Sequence, residues 1–104
     1  MAKGYIYLIG QRGQKGQFKI GVTRGSVDKR LKQLQTGSSD ELYIKETFES
    51  DNAFKLEKML HNQFSSKNML NEWYQLDDDD VTSFKEKCEQ MQGIIDSLAE
   101  NPFF

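Results

Sequence analysis

Tyr7 and Lys19 are the first residues in this chain whose types and spacing could do chemistry together. Each sits in a segment that alternates apolar and polar residues, 4–9 (GYIYLI) and 17–23 (QFKIGVT), the pattern of a strand. If the two pair as a hairpin with Ile6, Leu8, Phe18, Ile20 and Val22 inward, then Tyr5, Tyr7 and Lys19 share the opposite face. Gly21 lies beside them, where a missing side chain lets a substrate approach the backbone. A phenol next to an ammonium group is also an ordinary cross-strand pair on an exposed sheet face, and two strands alone favour that reading. Farther along, Glu57 and His61 are four residues apart and stack on one side of a helix. Such a pair can hold a cation or pass a proton, but most pairs of this kind face solvent. Arg30, within DKRLK, reads by itself as a surface charge.

The elements that must position these groups are legible from periodicity. Gly10, Gly13 and Gly16 mark a hairpin loop bearing Arg12 and Lys15. Ser26 is placed to cap a helix from Val27 to about Gln35, with Val27, Leu31 and Leu34 on one stripe and Gly37 ending it. Residues 42–48 read as a third strand. Ser50 or Asp51 can cap a second helix reaching about Phe64, with Ala53, Leu56, Leu60 and Phe64 buried. SSKNMLNE reads as a loop and WYQL as a short strand. Asp77, Asp78, Asp79 and Asp80 read as a solvated helix start favoured by the helix dipole, with a metal site as the remote alternative. One helix then follows over about 78–99, carrying Val81, Phe84, Cys88, Met91, Ile95 and Leu98 at 3-4-3-4-3 spacing. This stripe reads as packing against the chain's own sheet, with a dimer seam as the alternative. Pro102, Phe103 and Phe104 form a short tail. The sum is one small α+β domain over 1–104, a three-stranded, mainly antiparallel sheet flanked by helices.

At 104 residues there is room for one domain core. Hydrophobic residues at 37% can build that core, and the 29% charged residues with a mean hydropathy of -0.73 suit a soluble chain. No apolar run approaches the roughly 20 residues that span a bilayer. The opening MAKGYIYLIG lacks the apolar block of a secretory signal. These features, with a single Cys88, point to the cytoplasm and exclude an internal disulfide or a Cys-rich zinc site. The net charge of -2 argues against a nucleic-acid partner until it is divided along the chain. Residues 1–49 carry +4 and the remainder -6. That is the asymmetry of a protein offering one face to phosphates, or of ordinary charge scatter.

Taken in order, these pieces resemble the GIY-YIG nuclease superfamily, specifically its small phage and viral type. Ile6 and Tyr7 take the place of the GIY element, and Ile20 and Gly21 end the YIG element, with Lys19 where its tyrosine would stand. Arg30 follows nine residues after Gly21, and Leu34 lies where many members carry His or Tyr. Glu57 in LEKMLH resembles the metal-binding glutamate of the family, followed by His61. Glu72, Trp73 and Tyr74 resemble the Glu-Trp-aromatic signature that closes the domain. The match covers about residues 4–76.

The resemblance implies a DNA endonuclease that hydrolyses phosphodiesters with one Mg²⁺ or Mn²⁺ ion held by Glu57, the remaining positions filled by water and phosphate oxygens. Tyr7 would orient or deprotonate the attacking water, and Lys19 would supply the positive charge that a phenolate needs. Arg30 would clamp the scissile phosphate. His61 would assist proton transfer or the leaving group, or serve as a structural hydrogen bond. Tyr5 and Gly21 would border the substrate, while Arg12, Lys15, Arg24 and Lys32 would hold backbone phosphates. Glu72 would brace the loop, and Trp73 and Tyr74 read as core aromatics before base-stacking groups. A larger protein partner would select the target, with the chain itself a monomer. The competing expectations are a non-catalytic nucleic-acid or protein-binding module on the same fold and a dimeric regulator using the C-terminal stripe.

Overall fold

The computed structural model describes residues 3–99. Its centre is the expected hairpin. Strand β1 (Gly4–Gln11) pairs antiparallel with β2 (Gln14–Thr23), Tyr7 opposite Gly21 and Ile9 opposite Lys19. The tight reversal between them uses Gly13 at positive φ, and Gly16, early in β2, is also at positive φ, a conformation that glycine adopts without a Cβ clash. β3 (Leu42–Ser50) lies on the other side of β1, also antiparallel.

The sheet has five strands rather than three, in the order β3-β1-β2-β5-β4. The segment read as a loop is a 3-10 turn over Ser65–Lys67 followed by β4 (Asn68–Leu70), which forms a narrow hairpin with β5 (Trp73–Gln75). β4 is three residues long and fully exposed, so it has no apolar alternation to betray it. Asn71 at the turn has φ 55°, the left-handed conformation that Asn tolerates better than most residues. β5 pairs with β2 only from Gln17 to Lys19, so the outer edge of β2 is unpaired by strand beyond that point.

The two faces of the sheet are covered unequally. On one, α2 (Ala53–Gln63) and α4 (Phe84–Ala99) bury Ile6, Leu8, Phe18 and Ile20 under Ala53, Leu56, Leu60, Phe64, Phe84, Cys88 and Ile95. On the other, α1 (Val27–Thr36) lays Val27, Leu31 and Leu34 over Tyr7, Ile9 and Leu42. Ser26 caps α1 as its sequence suggests, accepting a hydrogen bond from the Lys29 amide at 3.3 Å. α2 begins after Asn52, which makes no side-chain cap. Ser50 instead accepts from the Asn52 amide at 2.9 Å and donates to Gln92 on α4, so this buried hydroxyl is satisfied.

The acidic run does not open one long helix. Asp77 caps a short α3 (Asp78–Thr82) in a capping box with Asp80. Thr82 and Ser83 then donate their hydroxyls back to the carbonyls of Asp78 and Asp79, which competes with helix propagation. α4 restarts from Ser83, whose carbonyl takes the Lys87 amide at 2.9 Å. Nor is the run wholly solvated. Asp80 is buried and bonded to Lys67, which also lies 3.6 Å from Asp77, and this ties the 3-10 turn to α3. The stripe on the last two helices packs inward through Phe84, Cys88 and Ile95, leaving Leu98 exposed. Burial pushes the Cys88 thiol up to about 12, so it is a core group without nucleophilic character. The tail Pro102–Phe104 lies outside the described residues.

Candidate functional site

β1 aims Tyr7 at the thinly covered face, as alternation requires, but that face is not open. α1 lies across it and Tyr7 is 1% exposed. Its ring lies directly over Gly21. A Cβ built at Gly21 would fall 2.4 Å from the tyrosine's Cζ and hydroxyl oxygen, well inside contact distance. Gly21 therefore accommodates the Tyr7 ring rather than a substrate. Any larger residue there must displace the phenol.

The cation beside Tyr7 is Arg30. One turn into α1, its Nε donates to the Tyr7 hydroxyl oxygen at 3.4 Å, and its Nη1 donates to Gln33 at 3.2 Å. Lys19 shares the Tyr7 face but turns toward the sheet edge, where its ammonium pairs with Glu72 at 3.1 Å and sits 5.8 Å from the centroid of the Trp73 ring. Burial raises the pKa of Tyr7 above the ordinary tyrosine value. Arg30 opposes this by hydrogen bond and charge, while Glu72 and Glu57 add to it. The net effect is upward, so Tyr7 is a neutral phenol at pH 7.

Glu57 and His61 come from α2, which packs on the opposite face, and they reach the Tyr7 side around the unpaired edge of β2. Where β5 ends, the Ile20 amide still donates to the Glu72 carbonyl at 3.1 Å. The Ile20 carbonyl, pointing out of the same edge, is met by His61 Nε2 at 3.0 Å. A carbonyl only accepts, so Nε2 carries a proton, and in the neutral ring the lone pair is on Nδ1. The His61 ring lies 5.6 Å from the Tyr74 ring, which is buried in the larger core. Among the described residues, Glu57, His61 and Glu72 form one cluster able to hold a metal ion, each offering a donor atom within 4.8 Å of the others. Burial pushes the Glu57 carboxyl above its ordinary value. His61 and Lys19 oppose that shift and Glu72 reinforces it. Glu57 is half-buried and made harder to ionise by a second carboxylate close by, and such a pair is a fit for a cation, which relieves the repulsion.

The structure therefore brings Tyr7, Lys19, Arg30, Glu57 and His61 to one strand edge, and adds Glu72, which sequence reasoning had assigned to bracing the loop. The signal for Glu72 was its place one residue before the strand that pairs with Lys19. The basic residues read as phosphate contacts are scattered. Lys32 is exposed on α1. Arg24 is exposed beyond the end of β2, stacked 5.1 Å over Phe54. Arg12, ion-paired with Glu41, and Lys15 lie at the hairpin tip. Arg12 is about 17 Å along β1 from Tyr7 at roughly 3.4 Å per residue. Tyr5 is half-buried at the far end of β1, its hydroxyl bonded to Glu49.

An antiparallel sheet whose edge gathers a phenol, a guanidinium, an imidazole and two carboxylates has the groups of a cation-assisted, phosphate-directed site. Residues 4–89 match the model of the T5orf172 domain. The chain belongs to that family, a phage-associated domain of the endonuclease type. No curated protein and no solved structure matches it. No helix among the described residues is long and apolar enough to cross a membrane.

Proposed function

We propose that this chain is a divalent-cation-dependent endonuclease of GIY-YIG type that hydrolyses phosphodiester bonds in DNA. The observation that carries the reading is the arrival of Tyr7, Arg30, Glu57 and His61 at one edge of β2 from three different elements. Glu57 would hold one Mg²⁺ or Mn²⁺ ion, and the chemistry supplied there would be positive charge beside the phosphate oxygens and a lowered pKa for nearby water. Arg30, anchored by Gln33 and Tyr7, turns its remaining N–H groups toward the phosphate and offsets charge in the transition state. Tyr7 orients the attacking water through its hydroxyl. It could take that water's proton only as a phenolate, after giving its own proton to solvent, and neutralising Glu57 and Glu72 would ease that loss because their charges oppose it. Lys19 acts on this centre by holding Glu72. His61 keeps Nδ1 for the same centre, as a proton acceptor or as a donor to the ion. Tyr5, Arg24 and Lys32 border the DNA nearest the site, and Arg12 and Lys15 meet its backbone farther along.

A second reading, a DNA-binding module without catalysis, is favoured by one feature. Tyr7 is closed under α1 and neutral, so a water must displace packing to reach it. Incubation of supercoiled plasmid with Mg²⁺ or Mn²⁺ separates the two. Cleavage predicts nicking by the wild type that falls by about 10²-fold or more in Glu57→Ala, the scale of losing one electrostatic stabiliser. Equal nicking by both proteins would identify a contaminant and remove the proposal. Salt-sensitive binding without nicking, retained in Glu57→Ala and weakened in Arg30→Ala, would establish the binding module instead.

A further inference from the structure

We infer that Glu57, His61 and Glu72 together form a mixed nitrogen and oxygen ion site that takes a first-row transition ion such as Mn²⁺ in preference to Mg²⁺. The inference rests on reading Glu57 as an ion-holding residue but not on cleavage. The three donors arise from two places in the chain, one turn of α2 and the residue that leads into β5, and lie within 4.8 Å of one another. Donors bound at about 2.0–2.2 Å stand roughly 3 to 3.6 Å apart around a tetrahedral or octahedral ion. The cluster is open by about that difference, and small rotations of the two glutamate side chains close it.

What separates this cluster from a chance meeting of polar groups is how its members are already held. Histidine ligands almost always donate their second ring N–H to a carbonyl or carboxylate, which fixes the tautomer and turns the other nitrogen to the ion. His61 does this through Nε2 to the Ile20 carbonyl at 3.0 Å, leaving Nδ1 as the donor. Ligating carboxylates are in turn fixed by hydrogen bonds. Glu72 has one oxygen, Oε2, on Lys19 at 3.1 Å, which leaves its other oxygen available. Lys19, where a tyrosine would stand in the resembled pattern, is thereby a positioning residue for a ligand. An imidazole in the set matters for selectivity. Mg²⁺ takes oxygen ligands and dehydrates reluctantly, whereas Mn²⁺ and its later neighbours accept imidazole nitrogen. With Nδ1 engaged by the ion, proton transfer falls to Tyr7 and water.

His61 is the chain's single histidine, so any nitrogen coupling from an imidazole to a bound ion is assignable to it. The test is pulsed electron paramagnetic resonance of Mn²⁺ bound to protein labelled with ¹⁵N-histidine, with Mn²⁺ affinity and Mg²⁺ competition measured without DNA. We expect a ¹⁵N coupling in the wild type and a need for about tenfold or more excess of Mg²⁺ to displace Mn²⁺. Glu72→Gln and His61→Gln each weaken Mn²⁺ binding by about tenfold or more, at least the loss caused by removing an outer partner of a ligand. Mn²⁺ bound without nitrogen coupling, equal competition by Mg²⁺, or Mn²⁺ affinity unchanged in Glu72→Gln would overturn the inference. If a variant fails to fold, the wild-type spectrum and competition decide alone. Protein that shows the coupling yet nicks no plasmid keeps the ion site and loses the nuclease reading, so the two failures are distinct.

Discussion

The two faces of the sheet differ in what covers them and in what that cover does. Under α2 and α4 lies a layer of thirteen buried residues, apolar but for the Tyr74 hydroxyl and the Cys88 thiol, whose contacts hold the chain together. Under α1 only Tyr7, Ile9 and Leu42 are buried, and α1 itself has no buried residue. The thin face carries Tyr7, Lys19 and Arg30, and the thick face lends it Glu57 and His61 around the edge of β2. Stability is concentrated where chemistry is absent, and the groups with chemistry sit under a light lid. A helix held by few contacts is one that moves at small cost, which suits a site whose phenol must meet water.

Five substitutions, grouped in four tests, break or sharpen this contrast, from the largest expected effect to the smallest. Gly21→Ala pushes a methyl group into the Tyr7 ring, and cleavage of plasmid falls by about 10²-fold, the scale of a 1 Å misplacement, while the fold survives by circular dichroism. Unchanged cleavage would mean that the position of Tyr7 is unimportant. On the thick face, Leu60→Ala costs about 2–5 kcal/mol in urea unfolding, whereas Leu31→Ala on α1 costs less and lowers cleavage more. Equal losses in both readouts would erase the division between the faces.

The third test concerns the Lys67 latch. Burial pushes Asp80 upward, but its bonds with Lys67 and the Asp77 amide and the charges of Lys67 and Lys87 outweigh this, and its carboxyl is held below the usual range. The folded value lies below the unfolded one, so this stabilisation is present above about pH 4 and is lost as pH falls through the folded value. Asp80→Asn is expected to cost about 1.5–3 kcal/mol at pH 7, and the difference should shrink in acid. A difference that grows on acidification contradicts the latch.

Glu57 has the opposite sign. Its folded value is raised, so the folded state is favoured at low pH and that advantage is lost as pH rises through the folded value. Without metal, Glu57→Gln should raise the Tm by a few degrees at pH 7 and leave it unchanged below about pH 4. A lower Tm at pH 7 would mean that the carboxylate is structural.

Much of this arrangement was legible beforehand, and each omission has a physical reason. Period-two alternation alone puts Tyr7 and Lys19 on one face, and the helix stripes name most of the buried residues of α2 and α4. Alternation does not say whether that face is covered. The clue was the stripe Val27, Leu31 and Leu34, which needs a surface when Ile6 and Leu8 are already claimed by other helices. The approach of Glu57 was not readable from α2 itself, because it depends on β5 stopping at Lys19 and leaving the edge of β2 to His61. The break after α3 was signalled by Thr82 and Ser83, whose hydroxyls compete for helix carbonyls, but apolar spacing runs straight through it.

The most direct measurement is a crystal structure of the protein with a short DNA duplex and Ca²⁺ in place of the active ion. The account predicts one phosphate between the Arg30 guanidinium and the Ca²⁺ ion on Glu57, on the α1 side of β2, with the Tyr7 hydroxyl facing the line of attack. DNA lying along the hairpin tip at Arg12 and Lys15, with no phosphate at the edge of β2, would contradict it.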